Sequence, residues 1–332
     1  MRRQSHPLKI LVTRRIPEAN LALLKRHFRL DLYAHSTAIP RRLLLSRVRS
    51  ADGLLCLLTE RVDAELLAAA PRLKMVATFS VGLDHVDLAA CTARGVPVTH
   101  TPGVLTETCA DFTWALLLAA ARRVVEGDRL MRSGGYAGWD PLMLLGTDVH
   151  GKTLGLIGFG RIGQAVARRA LGFGMKIVYH DLYRPGRAVE KELKARHAGF
   201  RELLKVSDFV SVHTDLGPGT RHLIGRREFG LMKPSAVLIN AARGPIVDEA
   251  ALVAALRSGR IGGAGLDVYE REPKMAPGLA ALPNAVLAPH LASASLETRS
   301  EMGRLAAQSL VDFLALGRRP LHLANPKALK RS

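Results

Sequence analysis

The segment Thr153-Leu154-Gly155-Leu156-Ile157-Gly158-Phe159-Gly160-Arg161-Ile162-Gly163 constrains this chain more than any other, because it joins an apolar strand to a helix through glycines at fixed spacing. Gly158 permits a tight turn, Gly160 lets a pyrophosphate approach the backbone, and Gly163 lets the helix close on the strand. The N-terminus of that helix, continuing through Gln164-Ala165-Val166-Ala167, then faces the phosphate charge. Glycines at this spacing also serve ordinary turns, so context decides. A second apolar run, 176–180, leads to Asp181, eighteen residues beyond Gly163, where a carboxylate binds the adenosine ribose hydroxyls of a dinucleotide. An acid there repels the extra phosphate of NADP and favours NAD. Arg184 and Arg187 follow closely and would serve a 2′-phosphate if Asp181 turned away, so NADP stays open.

Around this unit the chain reads as α/β throughout. In the first hundred residues, strands are predicted at 9–13, 29–33, 53–58, 75–79 and 98–100, with helices near 17–27, 40–49, 63–69 and 87–93, the pattern of a parallel βαβ sheet. A long amphipathic helix is predicted over 106–131, bridging domains and packing in part on a partner subunit. The loop 133–146, which holds Trp139, separates it from a second βα series running from Thr153 to about residue 290. A last helix over 293–316 can return to the first domain. The expected division is therefore 1–101 with 291–332, against 102–290 inserted between them.

With 332 residues and 48% apolar content the chain can bury one or two real cores. It has no run of eighteen apolar residues, and its opening residues pass into a strand-like 8–12 without a secretory apolar region, which predicts a soluble cytoplasmic protein with no membrane partner. Cys56, Cys91 and Cys109 form no CxxC pair or Cys/His cluster, so neither a disulfide framework nor a metal is expected. The net charge of +19 is dispersed in short pairs such as Arg41-Arg42, Arg122-Arg123, Arg226-Arg227 and Arg318-Arg319, and only 5% of residues are aromatic. That argues against a dedicated nucleic-acid binder and for a general attraction of anionic ligands.

Three later apolar runs each lead to ionisable residues: 237–240 to Arg243, 264–268 to Glu272, and 286–289 to His290. Ligands of open α/β sheets sit beyond the carboxyl ends of the strands, so these three should converge on the dinucleotide. The residue types suit hydride chemistry at a ketone. An imidazolium at His290 supplies the proton the growing alkoxide needs, the Glu272 carboxylate orients the ring and favours its charged form, and Arg243 offers a planar fork for a carboxylate and the ketone oxygen. Taken singly, Arg243 could neutralise Asp248, Glu272 could be a solvated loop acid and His290 could cap a strand end. Their succession on strand ends after a dinucleotide fingerprint carries the argument.

These segments, with Ser80-Val81-Gly82-Leu83-Asp84-His85 and Thr101-Pro102-Gly103-Val104-Leu105-Thr106, closely resemble the D-isomer-specific 2-hydroxyacid dehydrogenase family over essentially the whole chain. The runs 102–114 and 158–164 look most like its glyoxylate/hydroxypyruvate reductase branch. The resemblance implies two Rossmann-like, doubly wound parallel-sheet domains around a central cleft, usually in a homodimer: a flavodoxin-like substrate-binding domain (1–101 and 291–332) and an NAD(P)-binding domain (102–290). It implies reduction of glyoxylate, hydroxypyruvate or 2-ketogluconate to the D-2-hydroxy acid. Catalysis falls to Arg243, Glu272 and His290, with Val81 and Gly82 completing the grip of Arg243 and His290 on the substrate. Cofactor contacts fall to Gly158, Gly160, Arg161, Ile162, Gly163, Asp181, Thr106, Thr220, Ala241, Ala242 and Asp267, the last beside the nicotinamide carboxamide.

Asp215 departs from the family pattern, which commonly has proline there, and puts the local backbone in doubt. His85, near the expected substrate loop, reads as helix-entry structure rather than as a site residue, whereas His213, at the end of the run 209–212, reads either way. Two rivals stay open. Phosphite oxidation within the same family keeps the Arg/Glu/His set, and a nucleotide-sensing corepressor-like binder shares the fold, although the long tails such a protein uses are missing from the pattern. Formate-oxidising relatives carry glutamine where this chain has Glu272.

Overall fold

Short runs of Val, Leu and Ile alternating with helices produce two parallel sheets. The computed structural model describes residues 7–331; the expectations that fall on residues 1–6 and 332 lie outside them. Described residues up to Leu105 and from Ser295 onward form one compact unit, and Thr106–Ala294 form the other.

The first unit runs β1 (Lys9–Val12), α1 (Glu18–Lys25), β2 (Arg29–Leu32), α2 (Arg41–Val48), β3 (Gly53–Cys56), α3 (Ala64–Ala69), β4 (Met75–Thr78), α4 (Leu88–Ala93) and β5 (Val98–Thr99). Its strands are parallel in the order β2-β1-β3-β4-β5. Every residue of β3 and β4 is buried, as expected of central strands covered on both faces. Asp63 and Asp87 start α3 and α4 by accepting from the Leu66 and Ala90 amides.

In the second unit α5 (Thr106–Ala121) and α6 (Val124–Arg132) lead to β6 (Thr153–Ile157), α7 (Arg161–Gly172), β7 (Lys176–His180), α8 (Arg187–Glu192) and β8 (Ala195–His197). Then come α9 (Phe200–Val206), β9 (Phe209–Val212), α10 (Arg226–Phe229), β10 (Val237–Asn240), α11 (Glu249–Arg257), β11 (Gly263–Leu266) and β12 (Ala285–Leu287). The seven strands are parallel in the order β12-β11-β10-β9-β6-β7-β8, so successive strands build outward in opposite directions from the β6/β9 pair. That switch point opens a crevice at the carboxyl ends of the strands. α5 covers this sheet. Gly265 lets it lie close, since a Cβ there would stand 3.1 Å from Leu116 Cβ, and Trp114 Nε1 donates to the Val166 carbonyl of α7 at 3.1 Å.

The single helix expected over 106–131 is two helices. Arg123 sits in the left-handed region (φ 53°), and the Thr147 amide takes the Ala121 carbonyl at 2.8 Å, terminating α5. The returning backbone is so close that a Cβ on Gly146 would meet Ala121 O at 2.3 Å.

The units divide four residues beyond the expected points 101/102 and 290/291. At the later boundary the reason is visible: the Leu291 and Ala292 amides donate to the Asp267 carboxylate, binding that stretch to the second unit. At the earlier one, Thr101 N bonds Ser80 O within the first. The final helix α12 (Leu296–Leu310), capped by Ser295 and continued as a wider turn Val311–Ala315, belongs to the first unit and packs on α1, β3 and β4. Among the described residues no helix is long and apolar enough to cross a membrane, and no His/Cys/Asp/Glu group is disposed to hold a metal.

Candidate active site

The three glycines of the loop after β6 have three different surroundings. Gly158 turns with φ 92°, and a Cβ there would lie 2.5 Å from His213 O. Gly163, in the first turn of α7, would place a Cβ 2.5 Å from Gly158 O. Both positions need glycine so that the backbone can close on itself. Gly160 differs, because a Cβ there would meet nothing within 4 Å. It borders an open space next to the α7 N-terminus, where the opening amides of a helix have no intrahelical partner and favour an anion.

Asp181, one residue past β7, stands at the edge of this space. Its Oδ2 accepts from Phe159 N at 2.6 Å and its Oδ1 from Tyr183 N at 2.9 Å, leaving each oxygen a lone pair for a ribose hydroxyl. Phe159, between the two loop glycines, stacks on Tyr179 of β7 with ring centroids 4.0 Å apart. These residues fit a dinucleotide. His213 supports the loop from behind: its amide bonds Ile157 O at 2.7 Å and its Nε2 lies 2.8 Å from Ser211 Oγ. Desolvation pushes its imidazole down to about 4, which leaves it neutral at neutral pH. Asp215 is exposed, and its carbonyl accepts from Thr220 Oγ1 at 2.7 Å, while that hydroxyl accepts from Gly217 N at 2.8 Å, which closes the loop without the usual proline. Of the other expected cofactor residues, Arg161 is exposed and Ile162 half-buried on α7, and Thr106 opens α5.

The expected catalytic residues lie on adjoining loops of the same sheet. β10 ends at the buried Asn240, whose Oδ1 accepts from Ala242 N at 3.1 Å and whose Nδ2 donates to Arg243 O at 3.0 Å. This shapes the Ala241-Ala242-Arg243 turn. The next residue, Gly244, lies flat on the following loop: a Cβ there would stand 1.9 Å from the Tyr269 carbonyl. Arg243 is thereby brought near Glu272 and stabilises its charge. Glu272 Oε1 accepts from Tyr269 N at 3.1 Å, and Oε2 lies 2.9 Å from His290 Nδ1. Burial alone would raise the Glu272 carboxyl, but the hydrogen bond and charge of His290, the Tyr269 amide and Arg243 together hold it below its ordinary value. The ionised carboxylate therefore accepts from Nδ1–H, and Nε2 is the nitrogen left to meet a substrate. His290 itself adopts φ 58°, fixed by its amide on Asp267 O at 2.8 Å.

Asp267 is fully buried, and its two oxygens accept from Leu291 N at 2.6 Å and Ala292 N at 2.8 Å. Burial raises its carboxyl against the pull of those amides and of His290. Its carboxylate thus holds the turn that presents His290. Glu249, at the start of α11, does the same for the Glu272 loop, accepting from Glu270 N and Ala276 N, each at 2.8 Å. Sequence reasoning missed Phe159, Asn240 and Glu249. Of these only Asn240 carried a signal, a polar residue closing an apolar strand ahead of small residues.

In the first unit, Val81 and Gly82 follow β4. The Val81 carbonyl accepts from His100 Nδ1 at 2.9 Å and the Gly82 carbonyl from Ser80 Oγ at 2.8 Å. His85 Nε2 lies 3.1 Å from Thr78 Oγ1, which places it in the support of this loop.

The model of the NAD binding domain of D-isomer specific 2-hydroxyacid dehydrogenases matches residues 114–292. The glyoxylate reductase of Thermococcus litoralis is 49% identical over 328 residues, covering 98% of each chain. Among solved structures, the TT0316 protein of Thermus thermophilus superposes with a TM-score of 0.89 at 47% identity, over 96% of this chain and 100% of its own. The NADPH-dependent glyoxylate/hydroxypyruvate reductase of Sinorhizobium meliloti, solved with NADP and malonate, gives a TM-score of 0.82 at 33% identity over 97% and 98% of the two chains. With a nucleotide cradle, a carboxylate-held histidine and this likeness along nearly its whole length, the chain belongs to the D-isomer specific 2-hydroxyacid dehydrogenase family, on the branch whose curated members are glyoxylate reductases, and is an NAD(P)-dependent oxidoreductase.

Proposed function

We propose that the protein reduces glyoxylate or a similarly small 2-keto acid, hydroxypyruvate among them, to the 2-hydroxy acid of D configuration where that carbon is chiral. The observation that carries this reading is the His290 Nδ1–Glu272 Oε2 pair at 2.9 Å, which leaves Nε2 free to address a substrate oxygen. A bound reduced nicotinamide would supply the hydride to the keto carbon. The chain's own residues do the rest. Arg243 presents a fork of donors to the substrate carboxylate and the ketone oxygen, drawing electrons from the carbon under attack. His290, oriented by Glu272, donates a proton from Nε2 to the oxygen as negative charge develops there. Ala241 and Ala242 shape the turn that carries Arg243.

A homodimer fits the same reading, since Trp139, Leu142 and Leu145 of the 133–146 loop are exposed large apolar residues. The deciding experiment follows nicotinamide absorbance with glyoxylate, hydroxypyruvate and 2-ketogluconate, each with NADH and NADPH. His290→Ala should lower kcat/KM by about 10²–10⁴-fold with cofactor affinity retained. Keto acids left untouched by an enzyme that binds the dinucleotide would refute the proposal.

A further inference from the structure

The cofactor reading leaves the basic residues after β7 unexplained. Asp181 is followed by Arg184 and Arg187, the residue type that grips a phosphate monoester, on the rim where the 2′-position of a bound adenosine would lie. Arg184 does not project freely. Its Nε and Nη2 donate to Glu190 Oε1 at 3.1 and 2.6 Å. The Tyr179 hydroxyl donates to that same oxygen. Tyr179 is a fully buried residue of β7, and its ring is stacked onto Phe159 between the loop glycines, so Glu190 is anchored to the nucleotide loop itself. The Glu190 side chain is only 15% exposed, against 57% for Arg184. Both donors hold the Glu190 carboxyl below its ordinary value, which keeps it ionised at neutral pH.

We infer that Glu190, fixed by Tyr179, is a specificity-determining residue: it withholds Arg184 from the 2′-position and so sets the protein's preference for NAD(H) over NADP(H). Asp181 alone does not decide the matter. With Arg184 paired to Glu190, a 2′-phosphate entering beside Asp181 finds that guanidinium already occupied. Removing the Glu190 charge frees the guanidinium to take a phosphate bidentately. The inference rests on the dinucleotide site but on no particular substrate.

The test uses binding as well as turnover. Calorimetry on the full chain compares AMP with adenosine 2′-monophosphate for the wild type, Glu190→Gln, Arg184→Ala and Glu190→Gln/Arg184→Ala, alongside kcat/KM for NADPH and NADH. Glu190→Gln should raise affinity for the 2′-phosphate relative to AMP roughly five- to tenfold, the scale of a solvent-exposed charge-assisted contact, with a parallel rise in the NADPH/NADH ratio. Arg184→Ala alone should not raise the relative affinity, because the wild-type arginine is held by Glu190 and its loss leaves that carboxylate uncompensated, and in the double variant the gain should vanish. An unchanged ratio in Glu190→Gln overturns the inference. So does a gain that persists without Arg184, which would assign the phosphate to Arg187. A gain on Arg184→Ala alone overturns it as well, and that variant alters an exposed residue and stays informative should Glu190→Gln fold poorly. Failure of keto-acid reduction would leave the calorimetric comparison intact and would fall on the proposed function instead.

Discussion

Glu272 and His213 face opposite electrostatic problems, and each gives a distinct acid response. The Glu272 carboxyl is held below its ordinary 4.5, so the stability its pairing contributes is present above that value and is lost as pH falls through the depressed one. Glu272→Gln should cut kcat/KM for keto-acid reduction by about 10²-fold, because the His290 ring loses the carboxylate that holds its Nδ1 side at 2.9 Å. Steady-state kinetics with glyoxylate check this; an unchanged kcat/KM would mean Glu272 does not position the proton donor. His213 is lowered from 6.5 to about 4. Between those values the unfolded chain binds a proton that the folded protein refuses, so its contribution is complete above 6.5 and declines as pH drops toward 4. Thermal melts of wild type and His213→Gln over that window should show a shallower decline in the variant. At this scale the placement of Arg243, Glu272 and His290 on neighbouring loops was legible because strand ends fix where such residues fall. The roles of Asp267 and Glu249 were not, since which amides a carboxylate receives depends on how two loops come to rest, here 24 residues apart for Asp267 and Leu291.

The loop glycines show how differently one residue type is used within a single element. Gly163→Ala must push the Gly158 carbonyl away and should cost about 1–3 kcal/mol of stability. Gly160→Ala has room for its methyl and should alter stability by less than about 0.5 kcal/mol. Its methyl enters the space proposed for the pyrophosphate, so dinucleotide affinity should fall sharply while the melt stays put. Denaturant titration alongside calorimetric cofactor binding separates the two effects, and equal stability losses would undo the distinction. The strand–turn–helix here was readable from residue types alone. The break between α5 and α6 was not: Arg123 is not a residue that signals left-handed backbone, and the stop comes from Thr147 arriving at the Ala121 carbonyl. The positions of the first five strands, by contrast, followed from the spacing of apolar runs, and their ends in the structure fall within two residues of those expected.

The two units differ in how the chain builds them. Thr106–Ala294 is continuous, whereas the first unit needs residues from both sides of it. Gly303 of α12 lies so close to α1 that a Cβ would stand 2.1 Å from Asn20 Nδ2, and Asn20 Nδ2 in turn donates to Ser300 O at 3.0 Å. A fragment spanning 106–294 should therefore unfold cooperatively by circular dichroism, while one spanning 1–105 should not; a cooperative melt of the shorter fragment would show that α12 is dispensable. The discontinuity follows the protein onto the ribosome. Once the first five strands have emerged, the 189 residues of Thr106–Ala294 must be made before α12 appears, roughly 10–40 s at ordinary elongation rates. For that interval β3 and β4, buried on every residue in the finished molecule, lack their final cover. The nascent chain thus carries an exposed apolar sheet face as a timed liability, and holding chaperones that recognise such surfaces should engage this protein during synthesis and release it when its last helix docks.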